Sequence, residues 1–252
     1  MHLRRLCLLA VPFLPLLARA DVTATLEETR PLTARGEVVV DNINGPVRVE
    51  TWDQPEVRLV AVKSARTEAD LAALEIQIDS TETRFGVKSV YGDKDGSWLK
   101  KFTNTGEVRY TLTVPHTATL RRIETMNGPI EIANAHGRVT AKSMNGRVEA
   151  RGLRDEAQLS SVNGGVEASF DSVVPRQDIV LETVNGGIVL HLPAEAGVEL
   201  TASTVNGSIT NDFGPAPRSE RWIGEKLETT IGDGSARVRL KTTNGAVVIR
   251  RR

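Results

Sequence analysis

The sequence predicts an all-β fold, a β-solenoid or parallel β-helix-like stack of coils with an irregular N-terminal part. Three observations carry that expectation. First, the pair Asn-Gly occurs seven times, at Asn44, Asn127, Asn145, Asn163, Asn185, Asn206 and Asn244, using seven of the chain's 11 asparagines, where composition alone gives about one. Second, from Asn127 the intervals are 18, 18, 22, 21 and 38 residues, the last close to two periods, and periods near 20 mark stacked repeats. Third, each position around the pair keeps its character. Four residues before Asn stand Val40, Ile123, Ala141, Leu159, Leu181, Ala202 and Leu240; two before it stand Ser or Thr, with Asn42 the exception; three after it stand Val or Ile in every copy.

Alternation of this kind gives strands with one face inward and one outward. Two arrangements satisfy it. In an antiparallel β-meander array each Asn-Gly is a hairpin turn. In a solenoid each is a corner, and successive coils lie in register about 4.8 Å apart. Only the second rewards copying one turn into the next, because like residues then stack on like. Gly at such a corner supplies left-handed backbone, and an inward Asn bonds its amide to the Asn one coil away. The opposite corners, "NAHG", "GLRD", "SVVPRQD" and "LPAEAG", vary in length, so a binding surface is expected on that variable edge.

In chain order, residues 1–20 read as a signal peptide. Arg4 and Arg5 precede the apolar run LCLLAVPFLPLL, and Ala18-Arg19-Ala20 gives a cleavage site after Ala20. No later segment approaches about 20 continuous apolar residues, so no transmembrane segment is expected in the mature chain. Residues 21–115 form an N-terminal β-rich part in which "VRLVAVKSA", "LEIQIDS", "RFGVKSVYG" and "VRYTLTVP" alternate, as degenerate coils or a separate small sheet. Within it "TEADLAAL" (67–74) is the one helix, with Thr67 as N-cap and Asp70 three residues on. Residues 92–106 read as a long polar loop. Residues 116–252 hold the regular solenoid with an excursion at 211–226, and Arg250, Arg251 and Arg252 close the last strand against end-to-end addition.

Cys7 is the only cysteine, so the mature chain has no disulfide and rests on burial and hydrogen bonding. Basic and acidic residues balance at 32 each; without Arg4, Arg5 and Arg19 they stand at 29 against 32, a net of −3. Nothing in that balance favours nucleic acid. His116, His136 and His191 lack metal-ligand spacing. Asp93 and Asp95 in "GDKDG" are a candidate Ca²⁺ pair without the full ligand pattern. Glu131, Glu149 and Glu167 would stack on adjacent coils, the best catalytic or Ca²⁺-binding row the sequence offers. Trp52, Trp98 and Trp222 lie outside the regular coils and make no sugar platform. No catalytic, cofactor or metal residue is assigned.

The recurring T-x-N-G-x-[VI] unit, "NINGPVRVETWDQPEV", and "VRYTLTVP" before the repeats resemble a secreted bacterial β-strand-repeat family of unknown function labelled "putative adhesin". The resemblance spans about residues 36–250. It implies a β-solenoid-like fold in or outside the cell envelope and supplies no catalytic residues. The expected role is a non-enzymatic exported protein, periplasmic or at the cell surface, that binds an envelope protein or glycan. A carbohydrate-active enzyme using the Glu row and an envelope-stress signalling accessory protein are the alternatives.

Overall fold

The computed structural model describes residues 21–92, 106–214, 216, 218–219 and 224–252. The expected signal peptide, Asp93 and Asp95, Trp98 and Trp222, and part of the 211–226 excursion (215, 217 and 220–223) therefore lie outside the described residues. The chain begins with β1 (Val22–Pro31), β2 (Glu37–Asn44), β3 (Val47–Trp52) and β4 (Glu56–Ala65), then helix α1 (Glu68–Ala72). β5 (Leu74–Thr81), β6 (Arg84–Tyr91) and β7 (Glu107–Pro115) follow. The repeats supply strand pairs: β8 (Thr119–Asn127) with β9 (Ile130–Ala133), β10 (Val139–Asn145) with β11 (Val148–Leu153), and β12 (Ala157–Asn163) with β13 (Val166–Phe170). Next come β14 (Asp178–Asn185) with β15 (Ile188–Leu192), and β16 (Val198–Asn206) with β17 (Ile209–Asn211). β18 (Arg218–Ser219) and β19 (Glu225–Ile231) lead to β20 (Ala236–Asn244) and β21 (Val247–Arg251).

These strands form two large mixed sheets that do not close. One has ten strands in the order β1-β4-β7-β3-β9-β11-β13-β15-β21-β17; the other has eleven, β18-β19-β16-β20-β14-β12-β10-β8-β2-β6-β5. Every Asn-Gly pair carries the chain from the second sheet to the first. The strands ending in Asn run parallel, with Asn44, Asn127, Asn145, Asn163, Asn185, Asn244 and Asn206 paired in that order. The hairpin arrangement is therefore overturned for these copies. A strict coil-after-coil order is not seen either: β20 enters between β14 and β16, so the last copy sits between the fifth and the sixth.

The N-terminal segments belong to the same two sheets as the repeats, β6 pairing parallel with β2 and β7 parallel with β3. β4 pairs antiparallel with β1 and β7, and β5 pairs antiparallel with β6, extending both sheets at one end. At the other end β19 covers β16 antiparallel. Helix α1 is capped as read, Thr67 Oγ1 accepting from the Asp70 N–H at 3.1 Å, and it seats Leu71 against Ala65, Leu74 and Tyr91. The closing arginines do not guard an edge, since β21 lies between β15 and β17. Instead Arg252 donates to Asp171 at 2.7 Å, and Arg251 lies 4.9 Å from the Phe213 ring centre.

One core runs between the sheets from Leu32 to Ile249, filled by alternate residues of each strand as the sequence pattern requires. Six of the seven corner glycine N–H groups, all but that of Gly207 in the outermost copy, donate to the Asn carbonyl of the next strand, as Gly146 does to Asn163 at 3.1 Å and Gly164 to Asn185 at 3.0 Å. Glycine carbonyls accept the buried hydroxyl of the next strand: Ser143 to Gly128, Ser161 to Gly146, Thr183 to Gly164 and Thr242 to Gly186, all 2.8–2.9 Å. This explains the Ser/Thr position, since an apolar residue there would leave a buried carbonyl short of a partner. Asn42 breaks the rule because its longer side chain donates to two carbonyls, Gly45 at 3.0 Å and Val108 at 2.8 Å. Its Oδ1 accepts from Ser89 at 2.8 Å, and Ser89 in turn meets the Tyr110 hydroxyl at 2.7 Å.

Glycine is required by proximity more than by left-handed backbone. Of the corner glycines Gly45, Gly128 and Gly245 have φ 115°, 156° and 159°, but Gly164 and Gly186 are not among the positive-φ residues. A Cβ on Gly164 would stand 2.2 Å from the Gly146 carbonyl oxygen, and one on Gly186 would stand 2.2 Å from that of Gly164. By contrast a Cβ on Gly86 would meet nothing closer than 3.6 Å. Gly164→Val is therefore expected to lower stability by more than about 2 kcal/mol in urea unfolding, because backbone must move, whereas Gly86→Ala stays within about 0.5 kcal/mol.

Burial pushes the Tyr110 phenol up to about 12, against the smaller opposing pull of its hydrogen bond to Ser89. Unfolded, it titrates near 10, so its contribution is complete below pH 10 and is lost as pH rises to 12, where the unfolded chain binds fewer protons. Alkaline unfolding over that window is expected to be shallower in Tyr110→Phe, by on the order of 2 kcal/mol between its ends.

Candidate functional site

Three outer surfaces come from this framework. The first is the Asn-Gly edge. Seven Asn side chains form one ladder, each Nδ2 but that of Asn44, which donates to the Gly106 carbonyl, donating to the Oδ1 of its neighbour: Asn127 to Asn44 at 2.7 Å, Asn145 to Asn127 and Asn163 to Asn145 at 2.8 Å, and Asn185 to Asn163 at 2.9 Å. Asn244 to Asn185 at 2.8 Å and Asn206 to Asn244 at 2.7 Å complete it. The ladder faces solvent, not the core as the sequence reading had it. The alternation breaks where the chain swings between sheets, leaving Asn and the residue before it both turned out, as in β10 with pattern BiBeBee.

That preceding position makes a second column, which sequence reasoning missed. Met126, Met144, Val184 and Val205 are 42–44% exposed, four of the five exposed large apolar side chains among the described residues. Beside them runs a column of Asp41, Glu124, Lys142, Ser160, Glu182, Lys241 and Ser203, strand by strand in register. The signal was present: every Asn-Gly is preceded by Ile, Met, Val or Thr.

The second surface holds the glutamate row on the ten-stranded sheet. Glu131, Glu149 and Glu167 are in register on β9, β11 and β13. Each is tied to a cation: Arg48 to Glu131 at 2.6 Å, Arg151 to Glu149 at 2.5 Å, Arg147 to both Glu149 and Glu167 at 3.6 and 3.9 Å. His191 stands 3.9 Å from Glu167. The hydrogen bond to Glu131 holds the Arg48 guanidinium above its ordinary value. Among the described residues no group of three His, Cys, Asp or Glu is placed to hold a metal ion.

The third surface is the variable edge. His116 and His136 stack with ring centres 5.0 Å apart, and His116 Nδ1 lies 2.6 Å from Thr51 Oγ1. Burial, with the Arg154 guanidinium and His116 adding to it, holds His136 below the ordinary histidine value. Beside it an open depression of about 470 Å³ is lined by Arg35, Thr117, Thr119, His136, Gly137, Arg138 and Asp155. Arg138 is paired with Glu156 at 2.6 Å. The arrangement offers a guanidinium, hydroxyls and an imidazole to one polar guest.

No family model matches the chain, and no curated protein matches it in sequence. Among solved structures, a "putative cell adhesion protein" from Clostridium sporogenes is similar with a TM-score of 0.50 at 14% identity, over 91% of this chain and 100% of that one. A "putative adhesin" from Bacteroides fragilis is similar at 0.42 and 12%, over 91% and 97%. Identities this low bear on the fold alone.

The ladder yields a direct test. Asn163→Asp removes the donor to Asn145 and sets a carboxylate against its Oδ1. The variant is expected to lose about 1–2 kcal/mol at pH 7 and to regain part of it near pH 3, where the carboxyl is protonated, in urea titrations at both pH values.

Proposed function

We propose that the chain is a non-enzymatic, exported cell-envelope protein whose repeats form a solenoid-type stack that presents a rigid surface to a glycan or protein partner. The observation that carries this is the open polar depression around Arg35, Thr119, His136 and Arg138. It sits on the edge whose loops vary in length, while the Asn-Gly edge keeps the scaffold constant, a division of labour common in repeat proteins. Hydroxyl and guanidinium groups in an open, polar site suit a hydroxyl-rich or acidic sugar better than an apolar ligand. The adhesion role named for the Clostridium sporogenes protein is the same class of function. Export rests on the leader motif, and among the described residues no helix is long and apolar enough to cross a membrane. The glutamates of the row are held in ion pairs with Arg48, Arg147 and Arg151, which supports a structural role for them.

Binding to an array of bacterial envelope polysaccharides tests the reading. The full chain is expected to retain a subset of them, and Arg35→Glu to weaken retention at least about tenfold with an unchanged circular dichroism melt. Retention of none, or indifference to Arg35→Glu, counts against it. Release of reducing ends that disappears in Glu149→Gln would favour the enzyme instead.

A further inference from the structure

We propose that the Asn206-Gly207 corner is a site of self-modification, where the backbone nitrogen of Gly207 converts the Asn206 amide to isoaspartate or aspartate, while the other six Asn-Gly corners are protected. The pair supplies both reactants. A glycine leaves the nitrogen before it unshielded by any side chain, and attack on the preceding Asn closes a five-membered ring, which proximity favours. Hydroxide takes the proton of the Gly207 N–H, and the nitrogen forms a bond to Asn206 Cγ. The Cγ–Nδ2 bond breaks and Nδ2 leaves as ammonia, its last proton supplied by water. One water then opens the cyclic imide at either carbonyl, giving isoaspartate or aspartate. The sum consumes one water and releases one ammonia, with nothing oxidised or reduced.

The sequence offers these reactants seven times, and the fold sets one copy apart. In an inner copy the Asn-Gly peptide is held from both sides. The Asn163 carbonyl accepts from the Gly146 N–H at 3.1 Å, and the Gly164 N–H donates to the Asn185 carbonyl at 3.0 Å. The attacking nitrogen is thus tied to the next strand, and turning the peptide towards the Asn side chain breaks both bonds. The amide is held twice as well: Asn163 Nδ2 donates to Asn145, and its Oδ1 accepts from Asn185. Reaction at an inner corner must wait for the stack to open.

At Asn206 half of each restraint is missing. Its carbonyl accepts from the Gly245 N–H at 2.9 Å, but among the described residues the Gly207 N–H has no partner. Nδ2 donates to Asn244 at 2.7 Å, while Oδ1 stands at the end of the ladder with no further rung to accept from. Position is the cause. β16 is the outermost strand that ends in Asn, and β19 pairs with it only from Val198 to Thr204. Gly207 is also the one exposed corner glycine: Gly128, Gly146, Gly164, Gly186 and Gly245 are half-buried, and Gly45 is buried. Hydroxide and water therefore have access to this corner. Either product removes the donor to Asn244. Isoaspartate also inserts one extra backbone carbon between β16 and β17, which shifts Ile209, Thr210 and Asn211 against their partners on β21.

Ageing the full chain in mildly alkaline buffer, followed by peptide mapping with mass spectrometry, tests the assignment. Exchange of an amide for a hydroxyl changes the peptide mass, and chromatography separates isoaspartate from aspartate. In the folded chain Asn206 is expected to convert at least about tenfold faster than each of the other six, with isoaspartate among its products. In chain unfolded by urea the lead of Asn206 is expected to vanish, because no corner is then held. No lead for Asn206 in the folded chain, a lead that persists in urea, or aspartate without isoaspartate at position 206 would overturn the proposal.

Discussion

The structure depends on how closely one glycine can lie over the next. The Gly146 carbonyl oxygen occupies space within 2.2 Å of where a side chain on Gly164 would begin, and Gly128, Gly186 and Gly245 repeat the arrangement along the edge. That approach lets an inner glycine N–H reach the Asn carbonyl beside it and an inner glycine carbonyl take a hydroxyl from the next strand. Buried backbone groups without partners would cost more than the strand pairing returns. With the corner satisfied, strand spacing, register and the columns on both faces follow. The Asn ladder is a consequence of this spacing, added on the wet side.

The ends of the stack show how the same sheets avoid endless growth. Parallel strands give way to antiparallel β4 and β1 on one sheet and to β6 and β5 on the other, while β19 seals β16. Long alternating strands with charges such as Glu27 and Arg58 on their outer faces make poor templates for further pairing. The three closing arginines, which looked like an edge guard, instead pin an interior strand to Asp171, Asp212 and Phe213.

Much of this was legible in the sequence, and the failures have physical causes. Spacing and column character gave the parallel register and the buried positions, because parallel strands in register write their contacts into matching letters. The glutamate row was legible for the same reason. Its partner Arg48 was not, since it lies 83 residues upstream of Glu131 and reaches the row only through the pairing of β3 with β9. Period-two counting sent the Asn side chains inward, since it continued through a corner where alternation fails. The antiparallel ends were missed because β4 to β7 alternate as parallel strands do, and periodicity carries no strand direction. The depression at Arg35 joins residues from four separate segments, none of which carries a motif.

The position of β20 sets a condition on how the molecule is assembled. A chain emerging from its N-terminus can lay down the copies at Asn44, Asn127, Asn145, Asn163 and Asn185 as they appear. The Asn206 copy can pair with β19 but cannot join the earlier copies until the Asn244 copy arrives, because the later segment is the one that touches Asn185. Stack order and synthesis order part company at this single step. Growth by simple accretion must therefore pause there, with an open strand edge exposed, until the last forty residues or so are delivered together.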